Sequence, residues 1–191
     1  MHDATEVFIV YGRNTQAHEA LKSFLRALEL RPLEFDEVRN EIAGSPFVGD
    51  VIKAGMDRAQ AIAVLLTPDE FSSLRPSLRG AADEAEEMER WQARPNVLLE
   101  AGMALAIDVN RTLLLTMGRS EIPSDLRGRH LIRLSNGHAA RVRLRNALEG
   151  VGCKLGRTNS DWLDPRLGGD FEAAISALPE VGAAASFRPG P

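Results

Sequence analysis

The segment Arg94-Pro95-Asn96-Val97-Leu98-Leu99-Glu100-Ala101-Gly102 places a single carboxylate in apolar company. Pro95 and Asn96 are helix-start residues, Asn as a cap and Pro in the first turn. From Val97 through Met103, Leu105 and Ile107 the run is apolar on nearly every side, which predicts a buried helix. Glu100 is the only charge in that run before Asp108. A carboxylate in such surroundings is paired, protonated or used in chemistry. Two readings follow: Glu100 caps amides of its own first turn, where the helix dipole favours it, or it is a catalytic carboxylate.

Other residues suited to ligand chemistry stand at the ends of apolar runs. Gly12-Arg13-Asn14 follows one such run and precedes a helical pattern. Gly12 allows close approach of a ligand to the backbone, and Arg13 offers a fork for phosphate or carboxylate. The turn is neither a GxGxxG fingerprint nor a P-loop, because the additional glycines and the lysine are absent. An ordinary strand–helix turn is the alternative. Asp69, in Thr67-Pro68-Asp69-Glu70, is placed either to accept from ribose hydroxyls or to cap a helical turn. Ser124 and Asp125 either cap a one-turn helix through Leu126 or reach the site. Trp91 either stacks on a planar ring or packs in the core. The histidines His2, His18, His130 and His138 have no metal-binding spacing, and no GxSxG elbow is present. These readings predict no metal.

The elements that would position these residues alternate. Strands are predicted at Glu6–Tyr11, Pro32–Phe35, Ala61–Leu66, Arg111–Thr116 and His130–Leu134. Helices are predicted from Asn14 or Thr15 through Leu28, over Phe47–Arg58 and Pro95–Asp108, and in a last stretch ending near Gly150. Continuous apolar strands alternating with amphipathic helices predict an α/β, flavodoxin-like three-layer sandwich with a five-stranded parallel sheet. Ligands in such sheets bind beyond the carboxyl ends of the strands, which is where Gly12 and Asp69 fall. Residues 70–93, with the acidic run Asp83–Glu89, form an insertion whose Ala/Glu composition is compatible with a helix but which reads rather as a solvated face or mobile loop, or else a lid. The domain is predicted over 1–155, with a C-terminal extension over 156–191 that ends in a disordered tail from Gly182.

The 191 residues suffice for one well-cored domain, and a net charge of −4 gives no reason to expect direct nucleic-acid contact. The single cysteine, Cys153, excludes an internal disulfide and reads as a buried filler. The polar start and the absence of an apolar run of about 18 residues predict a cytoplasmic protein without a membrane span.

Taken in order, four segments resemble the bacterial TIR-like (Toll/interleukin-1 receptor) domain. They are Val7–Asn14, Ala63–Asp69, Arg94–Gly102 and Ile122-Pro123-Ser124-Asp125-Leu126-Arg127-Gly128. The nearest branch is the predicted nucleotide-binding group found in anti-phage effectors that answer cyclic-nucleotide signals, and the resemblance covers roughly residues 6–152. It implies cleavage of NAD at the nicotinamide–ribose bond, giving ADP-ribose or a cyclic ADP-ribose. NAD is then a substrate, and no cofactor is implied. By position, Glu100 corresponds to the family's catalytic glutamate, and Gly12, Arg13 and Asp69, with Asp125, surround the dinucleotide. The resemblance also implies a homo-oligomeric active form held by TIR–TIR contacts and a sensor protein or domain as partner. The sequence departs from the pattern at Tyr11, Asn14, Glu70, Pro95 and Ala101, where histidine, two aspartates, glutamine and a bulkier residue are common. The competing readings are a nucleoside deoxyribosyltransferase-like enzyme and a non-catalytic TIR adaptor.

Overall fold

The apolar runs become the strands of one sheet. In the computed structural model, which describes residues 2–73, 75, 77, 90–156 and 159–176, the strands are β1 (Asp3–Val10), β2 (Arg31–Leu33), β3 (Ala59–Leu66), β6 (Thr112–Thr116) and β7 (Leu131–Arg133). They lie in the order β2-β1-β3-β6-β7 and every pairing is parallel. The helices are α1 (Thr15–Ala27), α2 (Phe35–Glu41), α3 (Val48–Arg58), α4 (Pro95–Asp108), α5 (Ser124–Arg127), α6 (His138–Gly150) and α7 (Phe171–Ser176). The flavodoxin-like three-layer architecture expected from the sequence is the one observed.

Strand side chains alternate between two cores because both sheet faces are covered. Val7, Ile9, Ala63, Leu65 and Leu115 meet α1 and α6 on one face. Phe8, Val10, Val64, Leu66 and Leu114 meet α3 and α4 on the other. Asn14 caps α1, its side-chain oxygen accepting from the Ala17 amide at 2.9 Å, a cap worth about 1 kcal/mol.

Helix α4 has the predicted bounds but differs from expectation in two respects. Its cap is Arg94, with Pro95 at the first position, so Asn96 lies inside the helix rather than capping it. Nor is the helix buried all round. Val97, Ala101 and Ala104 face the sheet, while Leu99 is 69% exposed. A helix laid on a sheet buries one stripe, and here alanines allow the close approach.

The insertion begins and ends as an antiparallel ribbon, β4 (Glu70–Ser72) against β5 (Arg90–Gln92), with Phe71 opposite Trp91. Glu121 docks the ribbon, its amide donating to the Trp91 carbonyl at 2.7 Å. The acidic run Asp83–Glu89 and the tail from Gly182 lie outside the described residues.

After α6 the chain passes the buried Cys153, whose thiol is pushed up to about 11 by burial, and returns across α1. Phe171 and Ala174 of α7 enter the α1/α6 core. Arg141, 1% exposed, fastens this segment. Its guanidinium donates to the carbonyls of Trp162 and Gly168, both at 2.8 Å, to Gly169, and to the Asn136 side chain. It also lies over the Phe171 ring, 5.0 Å from its centroid. Burial lowers the Arg141 pKa from its ordinary value, and the fan of carbonyls offsets the loss of hydration. Arg141 Nε also donates to the Asn136 carbonyl at 3.3 Å, and a lysine has neither the planar fork nor enough donors for five acceptors. Arg141→Lys is therefore expected to lower stability by about 2 kcal/mol, read as a drop in the urea midpoint at unchanged m-value.

Candidate functional site

Two strands deliver the site's backbone. β1 ends at Val10 and turns through Tyr11-Gly12-Arg13 into α1, while β3, its neighbour, ends at Leu66 and continues through Thr67 to Asp69. The Asp69 carboxylate joins the two turns. It accepts from the Arg13 amide at 2.7 Å and, through its other oxygen, from the Thr67 hydroxyl at 2.7 Å. The turns press so closely that a Cβ on Gly12 would sit 1.7 Å from Asp69 Oδ2 and 3.6 Å from a Val97 methyl. Gly12 is not in the left-handed region, so the requirement for glycine is steric. Asp69 caps no helix, since β4 follows it. The Arg13 guanidinium is exposed and has no hydrogen-bond or ion-pair partner among the described residues.

Contact between Val97 and Gly12 brings the start of α4 to the same place. Glu70, next to Asp69, accepts from Arg94 Nε at 2.9 Å and so holds the cap residue of α4 against the end of β3. Glu100 lies one turn on from Val97, a neighbouring position on the helix surface. It is half-buried and makes no hydrogen bond or ion pair among the described residues. Burial alone raises its pKa above the ordinary 4.5, with no cation or donor to oppose the effect. The capping role is excluded, because Glu100 is past the first turn and accepts no amide. Glu6 provides the contrast. It is 2% exposed in the middle of β1 and bound by both Arg58 and Arg31. One carboxylate is satisfied as part of the framework, whereas Glu100 is half-buried and unpaired among the described residues.

A further network adjoins the turn. The Tyr11 and His18 rings stack at 3.5 Å and 7°. His18 is 3% exposed, and burial lowers its pKa, so the ring is neutral at pH 7. Lys22 bridges Glu34 at 2.6 Å and Glu19 at 2.9 Å. Sequence reasoning missed this group. The i, i+4 spacing of His18 and Lys22 puts them on one face of α1, which was the available signal.

The structure divides the sequence-predicted residues. Gly12, Arg13 and Asp69 meet one another and, through Val97, the helix that carries Glu100. Trp91 packs on Phe71, ring centroids 5.2 Å apart, and lines a different cleft whose walls include none of Gly12, Arg13, Asp69 or Glu100. Asp125 is exposed on α5. That one-turn helix is capped by Pro123 rather than by Ser124 or Asp125, and its Leu126 packs on the α4 face of the sheet. Among the described residues no group of three or more His, Cys, Asp or Glu could hold a metal ion, and no helix is long and apolar enough to cross a membrane.

Residues 6–136, which hold the Gly12 turn, Asp69 and Glu100, match the family described as CAP12/Pycsar effector protein, TIR domain. The chain belongs to this family. It is thus a bacterial TIR domain of the kind found in anti-phage signalling effectors. The family match ends just before α6, so α6, α7 and the Arg141 latch lie beyond the matched residues. No curated protein matches the chain.

Proposed function

We propose that this TIR domain is an NAD glycohydrolase centred on Glu100. The observation that carries the reading is the half-buried carboxylate, unpaired among the described residues, on the helix whose Val97 adjoins the Gly12–Asp69 junction, in a family of effector TIR domains.

A lone carboxylate is enough for this reaction. Ordinary glycosidases use a second carboxyl to protonate a poor leaving group. In NAD the leaving group is already a cationic pyridinium. When the bond between ribose C1′ and the pyridinium nitrogen breaks, its electron pair stays on nitrogen and neutral nicotinamide departs. Positive charge develops on the ribose, and Glu100 stabilises it electrostatically while accepting from ribose hydroxyls, or captures C1′ covalently. Water then adds at C1′ and releases one proton, giving ADP-ribose; attack by the adenine gives the cyclic product instead. Arg13 is assigned to the diphosphate. Asp69 holds the turn that presents Arg13 and Gly12.

The direct test is nicotinamide release from NAD by concentrated protein. Base exchange between nucleosides with NAD untouched would move the assignment to a deoxyribosyltransferase-like enzyme. Neither activity at any concentration would favour an adaptor.

We assign the active form to a homo-oligomer, with a sensor protein or domain as its partner, acting in the cytoplasm. The surface assigned to self-association is the outer side of α4, where Leu99, next to Glu100, is exposed. Turnover per molecule should rise with protein concentration, and Leu99→Lys should flatten that rise with the thermal midpoint unchanged.

A further inference from the structure

The crossover from β6 to β7 contains only the single-turn helix α5. So short a cover leaves an open cleft of about 450 Å³ between the loop after β6, the carboxyl end of β7 and the ribbon strand β5. Its walls carry Arg90 from β5, Arg119 from the loop and Arg133 at the end of β7. Arg119 and Arg133 are exposed and have no hydrogen-bond or ion-pair partner among the described residues. Among the described residues the carboxylate in the lining is Glu121, and it is already engaged, by Arg90 at 3.5 Å and by Arg127. The cleft therefore gathers positive charge on a chain whose net charge is −4, which concentrates anions there.

The uncharged lining narrows the class of anion. Trp91 supplies an indole, Ile122 and Leu131 an apolar floor, and Ser120 and Thr116 hydroxyls. Guanidinium forks match phosphate oxygens, and an indole matches a planar base. The volume is at the low end for small-molecule pockets and suits a single nucleotide. We propose that this cleft, formed by Arg119, Arg133 and Trp91 beside the β6–β7 crossover, is a binding site for a nucleoside monophosphate. The site is separate from the one at Glu100 and stands whether or not Glu100 cleaves NAD.

The test is isothermal titration calorimetry of the full chain at low salt, with AMP and with inorganic phosphate as probes. AMP should bind saturably, phosphate more weakly, and Glu100→Gln should bind AMP as the wild type does. Arg119→Ala and Arg133→Ala should each weaken AMP at least tenfold without moving the thermal midpoint, since both side chains are exposed and unpartnered among the described residues. Trp91→Phe should retain most of the affinity, and Trp91→Ala should lose it. No AMP binding at millimolar concentration overturns the proposal, as does AMP binding indifferent to both arginine variants. Loss of binding in Glu100→Gln would place the nucleotide in the other site, and phosphate binding as tightly as AMP would remove the base from recognition. Either result also overturns it.

Discussion

Glu100→Gln is expected to lower nicotinamide release from NAD by at least about a hundredfold while leaving the fold intact. The substitution keeps shape and volume and removes only the charge. The lost term is the stabilisation of positive charge on the ribose, and among the described residues Asp69, the carboxylate at the adjoining turn, is committed to the Arg13 amide and the Thr67 hydroxyl. Stability should move the other way. A carboxyl whose pKa is raised in the folded state holds its proton there after the unfolded chain has released it. Wild-type stability therefore declines as pH climbs from the ordinary 4.5 to the raised folded value, then levels off. The glutamine variant lacks this decline. It should match wild type in acid and be equally or more stable at pH 8, measured by thermal unfolding at both pH values. The wild-type activity limb, which reports the carboxylate form, should lie above 4.5. A variant that keeps turnover and loses stability would make Glu100 a structural residue.

Gly12→Ala is expected to destabilise the protein by about 3 kcal/mol. The new methyl would fall 1.7 Å from Asp69 Oδ2, so the carboxylate must leave and the Arg13 amide loses its acceptor. The diagnostic measurement is a double-mutant cycle in urea. Asp69→Ala alone breaks the same contacts and also clears the space for the methyl. Adding Gly12→Ala to Asp69→Ala should then cost little, giving strong non-additivity for residues in contact. Additive effects would mean that Asp69 and Gly12 act separately.

How far the sequence showed this arrangement depends on the range of each interaction. The central strands are readable because burial on both faces makes them nearly continuously apolar, and Ala61–Leu66 stands out for that reason, whereas the edge strands β2 and β7 carry exposed arginines and only short apolar stretches. Helix α2 was not readable: the second strand was read through Phe35, and seven residues from Phe35 carry too few turns to display a period. The ribbon was missed because Glu70–Ser72 and Arg90–Gln92 have no alternation and pair across a long gap. The C-terminal segment is ordered by Arg141, a tertiary latch with no local signature. At the candidate site, Glu100 stood out as a lone charge in an apolar helix. The commitment of Asp69 to the Arg13 amide did not, since no local pattern reports a contact 56 residues away. Trp91 was legible as an aromatic suited to stacking, but the sequence could not say which cleft it lines.

The β4–β5 ribbon makes the length of the insertion a free variable. Glu70 and Gln92 are paired across the two strands, so the ends of the excursion stay one strand spacing apart whatever joins Ser72 to Arg90. The entropy of closing a loop grows only with the logarithm of its length, about 0.6 kcal/mol per doubling. The ribbon works as a socket. The segment plugged into it can change in length at little cost, while the pairing of Glu70 with Gln92 holds the spacing between Asp69 and the helix that carries Glu100.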